Sequence, residues 1–347
     1  MKKLVQFLLE NDMEDMKDFI VKTINNVDDE KTIKRIYDIL SKAGFDTNVI
    51  DKFFTERAVD DAKKMILSVF ESNSNLSEFF KLCNGEIDLP DASKLVAGSN
   101  IYNVFGGLGF DKQTLIDLAT TNPPRNSVTR GWYEILSQIF LKNISPENKG
   151  RGDVNAGNDY QMEYKAPNAR VKGQNIETTE KIDRKFEELI GNKIDIKKYG
   201  SGYLTLISNI NKIFNTDLKD LPQDEIADII AQSIIAQFDE GNNEWIEFVK
   251  NHKRELFKGT KINSDFFKIL YGVMDMYYYQ HEEKFTHMIL FKGKTKNDKG
   301  DYVVLTSDMF NSFESIYNAV NNLNIKFTAM PRVSKNAREW AVQIAAI

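Results

Sequence analysis

A helix-rich sequence changes period abruptly between residues 150 and 174, which read GRGDVNAGNDYQMEYKAPNARVKGQ. Tyr160, Met162 and Tyr164 alternate there with Gln161, Glu163 and Lys165, the period of two that a strand imposes on its side chains. Glu163 and Lys165 are therefore expected on one face, with the larger apolar groups on the other. The turn-type sequence AGND, whose Asp159 is read as a turn residue, separates this run from a shorter one that begins at Asp153. A carboxylate and an ammonium on one strand face, beside an aspartate from a paired strand, form a set that can hold a hard metal ion next to a proton-handling lysine.

The chain on either side is mostly helical in pattern. Residues 1 to about 85 carry apolar residues at spacings of three and four, the signature of amphipathic helices. A looser segment follows at residues 86–110, and its GGLG lacks the glycine spacing and the Lys-Ser/Thr pair of a phosphate loop, so a bend is expected. A helix is predicted from Arg130 to Asn143 with Trp132, Ile135, Leu136, Ile139 and Phe140 on its apolar face. Glu134 falls nearly opposite, beside Gln138 and Leu141, on the side read as solvated.

Helical patterns return from about Thr178 to His281, with Pro222 and Ser264 at expected helix starts. The Tyr277, Tyr278, Tyr279 run ends an apolar helix and is read as packing. FTHMILFKG and DYVVLTS then form a predicted strand hairpin. SDMFNSFESIYNAVNNL reads as a helix capped by Ser307, IKFTAMP reads as a strand, and the closing REWAVQIAAI fits either class. The expected fold is α/β or α+β: a mixed-sheet core at 121–347 behind a helical N-terminal domain at 1–120, with a helical insertion at about 178–282.

Composition narrows the function classes. No apolar run approaches about 18 residues, so no membrane span is expected. The N-terminal MKKLVQFLLENDMEDM turns acidic at once without a small-residue cleavage site and is read as an amphipathic helix. One cysteine excludes an intramolecular disulfide and suits a reducing cytoplasm. Three histidines with that cysteine leave no donor set for structural zinc, and His252, His281 and His287 are read as surface or helix-end residues. At a net charge of −5 the molecule is not a general polyanion binder, so contact with nucleic acid falls to local basic patches. Lys292, Lys294, Lys296 and Lys299 cluster at the predicted hairpin tip, and Arg332, Lys335 and Arg338 follow the late strand.

Asp153, nine intervening residues, then Glu163-Tyr164-Lys165 resembles the PD-(D/E)XK signature of restriction-endonuclease-like nucleases. The resemblance covers Arg130 to Gln174, with Gly152 standing where the proline of the signature would be. It implies a restriction-endonuclease-like mixed sheet in which a helix precedes a strand hairpin. It also implies Mg²⁺ (or Mn²⁺) held by Asp153 and Glu163, with Glu134 as a further metal ligand, and Lys165 assisting the attacking water. Arg170, Lys172 and Gln174 are then expected to face DNA. The implied activity is endonucleolytic hydrolysis of DNA phosphodiesters, in the cytoplasm or as a phage-encoded protein in a host cell. Many such enzymes cut as homodimers, although no coiled-coil signal is visible here. The competing expectations are a non-catalytic DNA- or protein-binding phage, virion or assembly protein on a degenerate nuclease fold, and a helical interaction protein.

Overall fold

The computed structural model describes residues 88–108, 141–146, 152–156, 159–171, 176–194, 212–238, 241–292, 300–333 and 338–347, with positions 137, 199 and 209. The helices read at 1 to about 85, most of the helix read at 130–143, and the boundary expected at residue 120 lie outside them. In chain order the elements are helices α1 (Ala92–Ala97) and α2 (Ile101–Phe105), then strands β1 (Ser145–Pro146), β2 (Val154–Asn155), β3 (Gln161–Lys165) and β4 (Ala169–Arg170). Helices α3 (Ile176–Ile190), α4 (Gln223–Ile235), α5 (Asn243–Asn251) and α6 (Lys253–Leu256) follow, with a π-helical turn at Ile213–Asp217 before α4. Next come β5 (Phe257–Lys258), β6 (Lys261–Ile262) and α7 (Ser264–Glu283), then β7 (His287–Phe291), β8 (Tyr302–Thr306), α8 (Phe313–Asn322), β9 (Ile325–Val333) and β10 (Arg338–Ala346). Among the described residues no helix is long and apolar enough to cross a membrane.

The chain divides into two compact units, Met1–Tyr164 with Phe285–Val304, and Lys165–Lys284 with Leu305–Ile347. The first is built on a five-stranded sheet in the order β1-β2-β3-β7-β8. β2 and β3 run antiparallel with Val154 opposite Met162 and Asn155 opposite Gln161. The turn between them is closed where the Ala156 N–H meets the Tyr160 carbonyl at 2.8 Å. Thr286, just before β7, donates its N–H to the carbonyl of Gln161, the first residue of β3, at 2.8 Å. β3 and β7 thus start side by side and run the same way, which makes the sheet mixed. Val154, Met162, Phe285, Ile289 and Leu290 are fully buried in it.

The segment read as loose holds two short capped helices. The Asp91 carboxylate accepts the Ser93 and Lys94 N–H groups at the start of α1, and the Asn100 amide oxygen accepts that of Tyr102 at the start of α2. Both satisfy donors that a helix start leaves open. The Tyr302 hydroxyl of β8 donates to the Leu95 carbonyl of α1 at 2.7 Å. Gly106–Leu108, in the stretch read as a bend, is a 3₁₀ turn.

The second unit holds the helical block. α3, α4 and α5 pack in succession, and the indole N–H of Trp245 donates to the Ala231 carbonyl at 3.0 Å. β5 and β6 form a two-residue hairpin, not foreseen in the sequence, in which Gly259 takes φ +66 at the first turn position. β9 and β10 pair over nine residues, from Ile325 opposite Ala346 to Val333 opposite Arg338, and β4 joins them on the other side of β10. The C-terminal strands therefore build a second sheet instead of extending the first. REWAVQIAAI resolves as strand because its alternate residues Val342 and Ile344 are fully buried.

Two helix starts shift from their expected places. α7 is capped by Asn263, with Ser264 its first residue, and α8 is capped by Ser312, whose hydroxyl accepts the Ser315 N–H. Ser307 instead opens a 3₁₀ turn at Ser307–Phe310.

Candidate active site

Asp153 sits on a bend immediately before β2. The backbone turns there because Gly152 adopts φ +80, which a side chain disfavours and a proline ring forbids. A Cβ at Gly152 would also lie 2.8 Å from the Met162 carbonyl oxygen. The proline of the signature could not occupy this position, and glycine is what the bend requires.

The bend changes the hydrogen bonding at the sheet's end. Continuing the β2–β3 register, the Tyr164 N–H would face the backbone of residue 152. It instead donates to Asp153 Oδ2 at 2.8 Å, while the Asp153 N–H donates to the Met162 carbonyl at 2.8 Å. The Asp153 carboxylate is thus fastened to the peptide group that joins Glu163 to Tyr164. The strand register ends at Val154 opposite Met162, and Asp153 follows on the bend beyond it.

Glu163 is buried, with 3% of its surface exposed. Its neighbours Met162 and Tyr164 are buried as well, so both sides of β3 are covered. The Tyr164 hydroxyl lies 2.6 Å from the Ser137 hydroxyl and donates to Met162 Sδ at 3.5 Å, and its ring stacks on Phe291 with centroids 6.4 Å apart. Leu141 is buried and its N–H donates to the Ser137 carbonyl at 3.0 Å, a helical i to i−4 bond. Leu141, read as lying beside Glu134 on the solvated side, is therefore buried. Glu134 itself lies outside the described residues.

Lys165 closes β3, two residues beyond Glu163 and on the same side of the strand by alternation. Its ammonium donates to the Tyr279 hydroxyl at 3.0 Å and stands 4.4 Å from the centre of that ring. Within the tyrosine run, Tyr277 and Tyr278 do pack, against Phe313 at 4.3 Å and Phe238 at 3.7 Å. Tyr279 holds the lysine, a partner that the sequence, with the two residues 114 positions apart, gave no signal of.

Sequence reasoning also missed Asn155. Its Oδ1 is buried and has no hydrogen-bond partner among the described residues. Asn155 stands opposite Gln161 in the pairing of β2 with β3. A DVN triplet in a strand would have marked it.

The DNA-facing candidates are partly placed. Arg170 is half-buried on β4, opposite Gln343 of β10. Lys172, Gln174, Lys294, Lys296, Lys299 and Lys335 lie outside the described residues. Lys292 continues β7, its N–H donating to the Asp301 carbonyl at 2.7 Å. Arg332 and Arg338 belong to β9 and β10. Of the histidines, His252 ends α5 as expected but is not a surface residue. Its side chain is 12% exposed, and its ring stands 4.5 Å from Phe248 and 4.6 Å from Tyr317. His281 is exposed in the last turn of α7, and His287 stacks on Tyr160.

No group of three or more His, Cys, Asp or Glu side chains gathers around a common point among the described residues. The bend before β2 and the strands β2 and β3 carry hard oxygen donors: the Asp153 and Glu163 carboxylates and the amide oxygen of Asn155. Such a set suits Mg²⁺, which binds through one or two carboxylates and keeps several waters. In comparison with known proteins, no family model, no curated protein and no solved structure matches the chain.

Proposed function

We propose that the chain is a divalent-metal-dependent endodeoxyribonuclease of the restriction-endonuclease-like class, with Asp153 and Glu163 as ligands for Mg²⁺ or Mn²⁺ and Lys165 as the proton-handling residue. One observation carries this reading: the Asp153 carboxylate is fixed to the Glu163–Tyr164 peptide at 2.8 Å. That bond joins the aspartate of one strand to the Glu-x-Lys of the next. Glu134 as an additional ligand, and Arg170, Lys172 and Gln174 as DNA contacts, belong to the same proposal.

A bound divalent ion supplies water of lowered pKa and neutralises charge that develops on the phosphate. The chain's own residues do the rest. Asp153 and Glu163 present anionic oxygens from two strands that cannot slide past each other, because the peptide N–H of Tyr164 ties one to the other. Lys165 offers N–H donors that orient the attacking water and stabilise the non-bridging phosphate oxygens. As water oxygen bonds to phosphorus, the bond to the 3′-oxygen breaks and that oxygen leaves with a proton. Tyr279 is a positioning residue that holds the lysine's rotamer.

Supercoiled plasmid incubated with the protein in Mg²⁺, and separately in EDTA, tests the proposal. Wild type is expected to nick or linearise the plasmid only with the metal. Lys165→Ala is expected to lower the rate by about 10²- to 10⁴-fold, the range for a positioned acid–base group, and Asp153→Asn to abolish cleavage. Cleavage that survives both substitutions would remove the site. An inactive wild type under Mg²⁺ and Mn²⁺ that still retards DNA in a gel would assign the fold to binding instead.

A further inference from the structure

The β5–β6 hairpin carries a charge pattern that works against its own pairing. Lys258 stands directly opposite Lys261, and Phe257 directly opposite Ile262. Opposed residues of antiparallel strands share a face, so the two lysines lie together on one side and the two buried apolar residues on the other. Like charges set directly opposite destabilise a strand pair, and this hairpin has only these two pairs. Nothing offsets the lysines. Among the described residues the side chains of Arg254, Lys258 and Lys261 have no ion-pair or hydrogen-bond partner, and all three are exposed.

The surroundings leave that charge standing. Residues 250–264 contain five Lys and Arg side chains and one carboxylate, Glu255. The acids at the start of α4 are already engaged, Asp224 with Lys253 and Glu225 with Lys193. Asp228 pairs with Lys250 and Asp265 with Lys268, and on the loop before α4 Lys219 and Asp220 are neighbours of opposite sign. The tip itself is held and open. The Gln223 amide donates to the Gly259 carbonyl at 2.8 Å, and the Asn263 N–H closes the base on the Leu256 carbonyl at 2.8 Å. No atom lies within 4 Å of where a Cβ on Gly259 would be. A local rule broken without compensation inside the fold is expected where function requires it. Opposed residues of an antiparallel pair have Cα atoms about 4.5–5.5 Å apart, near enough for two ammonium groups to reach one phosphate.

We infer that the β5–β6 hairpin is a contact for the DNA backbone, with a phosphate held between Lys258 and Lys261 and Arg254, four residues upstream, adding to the positive charge. The choice of DNA as partner rests on the nuclease reading. An anionic membrane fits less well, because the tip residues Gly259 and Thr260 offer no apolar group to insert. Anisotropy of a short fluorescent DNA duplex, titrated in EDTA at low and moderate salt, tests the contact apart from cleavage. Wild type is expected to bind, more weakly as salt rises. Lys258→Gln with Lys261→Gln is expected to weaken binding by at least about tenfold, equally for two unrelated sequences, since backbone contacts carry no sequence information. The same double variant is expected to flatten the plot of log K against log salt by about one to two. Lys268→Gln, which removes a lysine already paired with Asp265, is expected to bind within about twofold of wild type. Lys258→Glu sets opposite charges across the strand pair, so it is expected to raise the urea midpoint while DNA binding falls. The inference is overturned if wild type does not bind the duplex, if it binds polyglutamate or phosphatidylserine vesicles in preference, or if the double variant matches wild type in affinity and salt dependence. Plasmid cleavage by a wild type whose DNA binding ignores the two lysines overturns this inference and leaves the nuclease reading standing. Binding through the lysines without cleavage under Mg²⁺ or Mn²⁺ does the reverse.

Discussion

Asp153 has two separable tasks, one in holding the sheet end and one in the proposed chemistry. Asp153→Ala strands the Tyr164 N–H, and a stranded donor costs about 1–3 kcal/mol. Asp153→Asn keeps an acceptor oxygen there while removing the charge. The expected result is a clear drop in urea midpoint for the alanine variant and little or none for the asparagine variant, with DNA cleavage lost in both. Gly152 carries the backbone side of the same bend. With φ +80 and no room for a Cβ beside the Met162 carbonyl, Gly152→Ala is expected to cost about 1–3 kcal/mol and Gly152→Pro more, read from the same urea curves. Tyr302 gives a pH-dependent test. Burial raises its phenol above the ordinary tyrosine range, so the unfolded chain gives up that proton first as pH rises. Its contribution is complete below about pH 10 and falls away above it. Wild type is therefore expected to lose stability between pH 9 and 11 more steeply than Tyr302→Phe. The variant also starts lower by about 1 kcal/mol, because its hydrogen bond to the Leu95 carbonyl is gone.

At the scale of elements, several strands were legible in the sequence. Gln161–Lys165 forms where the period of two put it, and His287–Phe291, Tyr302–Thr306 and Ile325–Val333 form at the runs read as rich in strand-forming residues. Helix starts were legible to within a few residues, since serine and asparagine compete for the same capping role: Asn263 outdoes Ser264, and Ser312 outdoes Ser307. Partners distant in sequence were not legible, because periodicity reports which face a side chain is on and never what covers it. Lys165 with Tyr279, Ser137 with Tyr164 and the buried second side of β3 are of that kind. So is Gly272 in the middle of α7, where a Cβ would overlap the Phe327 ring of β9. The glycine is what lets the helix lie against that strand. Gly272→Ala is expected to destabilise by about 1–3 kcal/mol, the usual cost of overfilling a packed interior. Differential scanning calorimetry checks it, and a paired Phe327→Leu change is expected to recover part of the loss.

For the whole molecule, helices α3 to α7 occupy the stretch of chain between β3 and β7, where helical patterns return between Thr178 and His281. The separate sheet of β4, β9 and β10 was not anticipated, since nothing in nine alternating residues says which strand they join. Truncating the chain after Val304 removes α8, β9 and β10 together. The Trp245–Phe313 and Phe248–Tyr317 ring contacts go with them, so the remaining helical block is expected to unfold without a cooperative transition in urea. The bond between Thr286 and Gln161 has a further consequence for how the protein is made. These residues are 125 positions apart, yet they set two adjacent strands side by side. On a ribosome adding about 5–20 residues per second, strand β3 is finished several seconds before β7 exists to flank it. During that interval one edge of the emerging sheet is unpaired, and a nascent chain in that condition is the form a chaperone would meet.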